Sequence, residues 1–200
     1  MNNNSQPFKL LVRGGSIPAG AGVTRGYVDI LEDFCVDRGV KVINRSVPGD
    51  NTFDGIWTFQ NDIAPFSPEI LILHFGVDDA FYPVYRSEFK ENLVRMVRSS
   101  RELFNPIILI PSSHTFGDPY EMDAVNIYYR TIREVCLDLD CEMVPVHTYW
   151  AGYLQDYGLS NTELVQKDCR LPNERGHEVF AEVIIQRLKR IISEVTALTR

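Results

Sequence analysis

Ile70–Phe75 (ILILHF) is apolar at nearly every position, and a strand of that kind must be covered on both faces. It sits in the middle of an alternation of short β-rich runs and longer amphipathic stretches, so the cover is helical and the sheet parallel. The runs are Phe8–Val12 (FKLLV), Val40–Asn44 (VKVIN), Ile70–Phe75, Ile107–Ile110 and Met143–Val146. Between them, Val23, Tyr27, Ile30, Leu31 and Phe34 recur at helical steps in a segment reaching Arg38 and stopped by Gly39. Asn51–Ile63, Ser87–Phe104, Glu121–Leu139 and Glu174–Leu198 read as four further helices. Five strand–helix steps with right-handed crossovers give a flavodoxin-like three-layer α/β/α sandwich around a five-stranded parallel sheet. No internal repeat or linker interrupts it, so residues 1–200 read as one domain with a polar tail at 1–7.

Composition excludes more than it selects. A chain with 44% apolar and 24% charged residues can bury a large core. Its net charge of −7 disfavours nucleic acid or an anionic membrane as the main partner. No signal-like leader or stretch of membrane-spanning length is present, and a cytoplasmic protein is expected. Cys35, Cys136, Cys141 and Cys169 lack metal-ligand spacing and read as reduced thiols, so no metal is expected. No cofactor is expected either: without a G-x-G-x-x-G or Walker sequence, a flavin or nucleotide binder ranks low. The oligomeric state is not legible.

In an open parallel sheet, ligands sit beyond the carboxyl ends of the strands. Four loops there carry residues of interest. Arg13-Gly14-Gly15-Ser16 places a serine on a tight turn, although a glycine turn with a capping serine has the same sequence. Asn44–Thr52 contains Gly49, whose N–H can approach a ligand closely, or it is an ordinary turn capped by Asp50 or Asn51. Gly76-Val77-Asp78-Asp79 ends the central strand with two acids, which are also adequate caps. Asp168–Asn173 (DCRLPN) precedes Gly176, His177 and the last helix.

Together, in this order, the four loops resemble the sequence blocks of the SGNH (GDSL-type) hydrolases over about Phe8–Leu198. The resemblance implies an esterase or acyl-hydrolase ancestry and a small-molecule ester or acyl ligand. It places Ser16 as nucleophile, Asp168 as the acid of the triad, and Ser16, Gly49 and Asp78 around the oxyanion hole. Three positions depart from the family. Gly15 stands for an acid of the nucleophile turn. Asp78 stands for an asparagine that donates to the oxyanion, and a carboxylate can only accept. Leu171 occupies the position of the catalytic histidine, and leucine cannot take the proton of a serine.

The expectation is therefore a hydrolase-like protein with a broken triad, non-catalytic or of altered chemistry. The alternative is a working carboxylic-ester hydrolase or acyltransferase in which His114 or His177 supplies the base. A histidine at the His177 position accompanies the catalytic one in active members, which implies a structural role. His74 reads as a core residue and His147 as a pocket residue beside Tyr149 and Trp150. Arg13 and Arg170 are expected to face Asp78 and Asp168, either as ion pairs replacing lost triad contacts or as ligands for an acidic molecule. Phe81–Tyr85 reads as a pocket wall, a lid or loop packing.

Overall fold

The computed structural model describes residues 8–82 and 84–198, with side chains as far as residue 194. The polar stretch 1–7, and Pro83 within the aromatic stretch, lie outside the described residues.

Five strands form one parallel sheet: β1 (Phe8–Gly14), β2 (Val40–Asn44), β3 (Ile70–His74), β4 (Ile107–Pro111) and β5 (Glu142–Val144). Their order is β2-β1-β3-β4-β5, the doubly wound arrangement expected from the alternation. Alternating residues enter opposite cores, as the two-residue strand period dictates. Leu10, Val12, Ile70 and Ile72 join one core, and Leu11, Leu71 and Leu73 join the other. All seven are buried, which accounts for the unbroken apolar run in β3.

Eight helices flank the sheet among the described residues: α1 (Tyr27–Val36), α2 (Thr52–Trp57), α3 (Phe59–Asp62), α4 (Val77–Phe81), α5 (Arg86–Leu103), α6 (Pro119–Asp138), α7 (Val146–Tyr157) and α8 (Glu174–Leu198). α8 packs against α1 and α7 on one face, and α5 packs between α2 and α6 on the other.

The helix expected from Val23 begins instead at Tyr27. The chain from Ser16 to Gly26 is a series of turns, and the Gly26 N–H is held by Asp29 Oδ2 at 2.7 Å, which fixes the start of α1. The helix expected over Asn51–Ile63 breaks at Thr58, whose hydroxyl bonds the Asp54 carbonyl and also accepts from Arg13. β5 ends at Val144, not Val146, and the segment with His147 is the start of α7. α4 had no sequence expectation; a five-residue helix is too short to show a period. No helix among the described residues is long and apolar enough to cross a membrane, and the four cysteines are free.

Candidate active site

Ser16 follows β1 on a turn that the sheet itself tightens. β1 runs on to Gly14, which pairs with His74 of β3, and the Gly15 N–H bonds the His74 carbonyl at 3.4 Å. The Asn44 amide ties the next loop to this turn by donating to the Pro18 carbonyl at 2.8 Å. Gly49 adopts φ +86°, a left-handed conformation that few L residues tolerate. In that conformation its N–H donates to Ser16 Oγ at 2.9 Å.

The other hydrogen bonds of the Ser16 hydroxyl and N–H go to Asp78, the second residue of α4, while the Ser16 carbonyl accepts from the Ala21 N–H at 3.0 Å. Ser16 Oγ donates to Asp78 Oδ1 at 2.7 Å, and the Ser16 N–H donates to Asp78 Oδ2 at 2.7 Å. The carboxylate thus accepts from both the hydroxyl and the N–H of Ser16. Burial pushes the Asp78 carboxyl above the usual carboxylate range, opposed by the two Ser16 bonds and by the charge of Arg170, while Asp50 adds to the rise. A carboxylate that clings to its proton is a better base than an ordinary one.

Gly15 explains how Asp78 comes so close. A Cβ on Gly15 would meet both Asp78 Oδ2 and the Asp50 carbonyl oxygen well inside the 3.0 Å that real Cβ atoms keep. Gly15 and Asp78 are therefore linked by packing. With Asp78 folded over residue 15, that residue has no room for any side chain, acidic or otherwise.

Asp168 has turned to another partner. Its two oxygens accept from Arg170 Nε at 2.8 Å and Nη2 at 2.5 Å, and this pairing, above all, lowers the Asp168 carboxyl. The guanidinium lies 5.4 Å from the centre of the Phe81 ring. Leu171 forms part of the wall beside them. Ser16, Asp78, Asp168, Arg170 and Leu171 line one cavity of about 320 Å3, with Gly49 and Phe81 across from them. The structure thus brings the loop residues after β1, β2, β3 and before α8 to a single place. The expected wall at Phe81 and Tyr82 is there; Pro48 and Val77 also line it, and nothing but their position next to a loop glycine marked them in the sequence.

Arg13 does not face Asp78 or Asp168, and it is not available to a ligand. It is fully buried, donating to Asp50 at 2.5 Å, Thr58 at 3.0 Å and the Gly14 carbonyl at 2.8 Å, with Asp62 3.5 Å away. A buried guanidinium gathers acids for its own neutralisation, and the acids within reach are those of the loop before α2 and of α3. Asp79 is likewise structural. Its carboxylate accepts from the Thr52 N–H and hydroxyl and from the Gly76 N–H, joining the starts of α2 and α4, and burial raises it to about 6.

No histidine touches Ser16, whose hydroxyl is occupied by Asp78 and Gly49. His114 is fully buried, its Nε2 2.9 Å from the Cys169 carbonyl and its Nδ1 2.9 Å from Ser113 Oγ. His177, also fully buried, accepts from the Tyr27 N–H at 3.1 Å through Nδ1. His74 lies 2.9 Å from the Tyr27 hydroxyl through its own Nδ1. With Tyr27, Trp150 and Phe180 the three rings make an aromatic cluster under α8. Burial lowers all three, His74 to about 3 and His114 and His177 to about 4, so each is neutral at pH 7. The geometry expected of a relocated base, a ring nitrogen at the serine, is absent for both His114 and His177. Among the described residues there is also no group of three or more His, Cys, Asp or Glu side chains arranged to hold a metal ion.

Residues 12–179 match the GDSL-like lipase/acylhydrolase family. An arylesterase from Vibrio mimicus is 20% identical over 186 residues, covering 90% of this chain and 88% of its own. A catalytic mutant of an acetylxylan esterase from Geobacillus stearothermophilus superposes with a TM-score of 0.81 at 18% identity, over 93% of this chain and 95% of that one. An α/β hydrolase enzyme from the metagenome of Lake Arreo, Spain, gives a TM-score of 0.76 at 20% identity, over 88% and 93%. At such identities the two structures are alike in fold.

Proposed function

We propose that this chain, which belongs to the GDSL-like lipase/acylhydrolase family, has kept that family's ligand cavity while losing ester hydrolysis through a serine–histidine–aspartate triad. It then acts as a non-catalytic relative that binds a small ester or acyl ligand over Ser16. The observation that carries the reading is the hold of Asp78 on both the hydroxyl and the N–H of Ser16. An anion at that place repels the charge of a tetrahedral intermediate and occupies a donor meant for it. Leu171 supports it, since an apolar side chain lines the cavity where a base is needed, and Asp168 is satisfied by Arg170.

The test is labelling of Ser16 by a fluorophosphonate probe, alongside hydrolysis of p-nitrophenyl acetate. The expected result is no labelling that Ser16→Ala removes. The double variant Leu171→His, Asp78→Asn restores a base and a neutral donor, and it should hydrolyse the ester at least ~10-fold faster than the unchanged chain. Ser16-dependent turnover by the unchanged chain overturns the reading.

A second reading is favoured by one distance. With Asp78 Oδ1 2.7 Å from Ser16 Oγ and its proton affinity raised, the carboxylate is placed to serve as the base itself. The serine would then attack an ester carbonyl as its proton passes to Asp78, and the Asp78 carboxyl would return that proton to the departing alcohol. Water, giving a proton to Asp78, would release the acid and regenerate the serine hydroxyl. Asp78→Asn separates the two readings by its sign. It abolishes activity if Asp78 is the base, and it raises activity if Asp78 only obstructs the hole.

A further inference from the structure

A second cavity opens between α6 and the start of α7, with a volume of about 390 Å3 and no lining residue in common with the one over Ser16. Two of its walls are Arg130 and Arg133, and none of its lining residues is acidic. That is unusual in a chain of net charge −7. Arg130 and Arg133 are three apart on α6, so they are neighbours on one helix face, and like charges at that spacing repel by about 0.2–0.5 kcal/mol. Neither has an ion-pair partner among the described residues. Glu134, the nearest acid in sequence, is taken by Arg86 and Lys90 from α5. The helix thus holds two adjacent guanidiniums that nothing in the fold neutralises.

The rest of the cavity suits the same kind of guest. α7 begins here with no acidic residue in its first turn, although its His147 N–H already donates to Ser112 Oγ at 3.3 Å. The partial positive charge of that end adds to the two guanidiniums. His147, the second residue of α7, is fixed by Ser112 Oγ at 2.7 Å from its Nδ1 and stacks on Tyr129 with ring centres 5.0 Å apart. Among the described residues its Nε2 has no hydrogen-bond partner. Met143, Pro145 and Tyr129 add apolar lining to the cavity.

We propose that this cavity is a binding site for a small organic anion. The phosphate or carboxylate lies between Arg130 and Arg133 within reach of His147 Nε2, and the apolar part lies against Tyr129 and Met143. A guanidinium fork can hold two oxygens of either anion, the planar carboxylate or the tetrahedral phosphate. This goes beyond the reading of Ser16 and stands whether or not that serine is active.

Phenyl phosphate and benzoate distinguish the two headgroups, and titrations of the full chain by calorimetry, with the His147 ring signals followed by NMR, test the site. Binding of either probe with a shift of the His147 resonances is expected, and Arg130→Gln with Arg133→Gln should weaken it at least ~10-fold. Both substitutions lie on an exposed helix face and retain helix-forming side chains. Three results overturn the proposal: neither probe binds, the double variant binds as well as the unchanged chain, or binding is lost in Arg170→Gln instead. The last would put the anion over Ser16.

Discussion

At the scale of single residues, the site turns on how near Asp78 comes to residue 15. Gly15→Ala forces a methyl group against the Asp78 carboxylate and the Asp50 carbonyl. Such overpacking typically costs about 1–3 kcal/mol, read as a drop in the urea midpoint. Asp78→Ala in the same chain should recover part of that loss, because one of the two obstacles is gone. If the effects of the two substitutions simply add, Gly15 and Asp78 are independent and their coupling is refuted. The sequence offered both residues as separate departures. That they are linked by packing became visible only when residues 62 positions apart were seen in contact, between Ser16 and Asp78.

At the scale of elements, Arg13 does for the loops what hydrogen bonds do for the strands. It lies in β1 yet reaches Asp50 before α2, Thr58 between α2 and α3, and Asp62 at the end of α3. Replacing it by leucine leaves Asp50 without its guanidinium partner and Asp62 with Arg45 alone. Removing one partner from a buried ion pair costs about 3–5 kcal/mol, and Arg13→Leu is expected near the lower end because Asp50 is partly exposed. Chemical denaturation measures this, and a loss below about 0.5 kcal/mol would make the network ornamental. The lengths of α5, α6 and α8 were legible to within about two residues because long amphipathic helices repeat their pattern many times. α4 and the whole of α7 were not. Four or five residues give no period, and His147, Thr148, Tyr149 and Trp150 do not favour a helix on propensity alone.

At the scale of the whole molecule, the three buried histidines set the acid limit of stability. Their folded-state values, about 3 for His74 and about 4 for His114 and His177, lie below the ordinary 6.5. Between about pH 6.5 and 4 the unfolded chain therefore binds protons that the folded chain refuses. Stability rises with pH in that window and is lost as pH falls through it, on the order of 1 kcal/mol per pH unit for each ring. Asp79 works the other way. Raised to about 6, it holds a proton in the fold that the unfolded chain has released, so it adds stability as pH falls from about 6 to 4. Three rings outweigh the two raised carboxyls of Asp78 and Asp79, and the urea midpoint should drop clearly from pH 7 to pH 5. An unchanged midpoint would show that the rings are not held neutral.

The sequence by itself determined the parallel sheet, its helical cover and the four loops that meet at its carboxyl edge. Those follow from local periodicity and from the rule that strand ends converge. Leu171 within its block Asp168–Asn173 was equally plain, since that block is read locally. The tertiary structure alone decided which charges meet. Arg13 pairs with Asp50 and Asp62, and Asp78 holds Ser16, whereas the pair of Asp168 with Arg170, two residues apart, was already expected from the sequence. Charge pairing depends on distances of a few ångströms between segments far apart in the chain, and no pattern of neighbours along the chain encodes those distances.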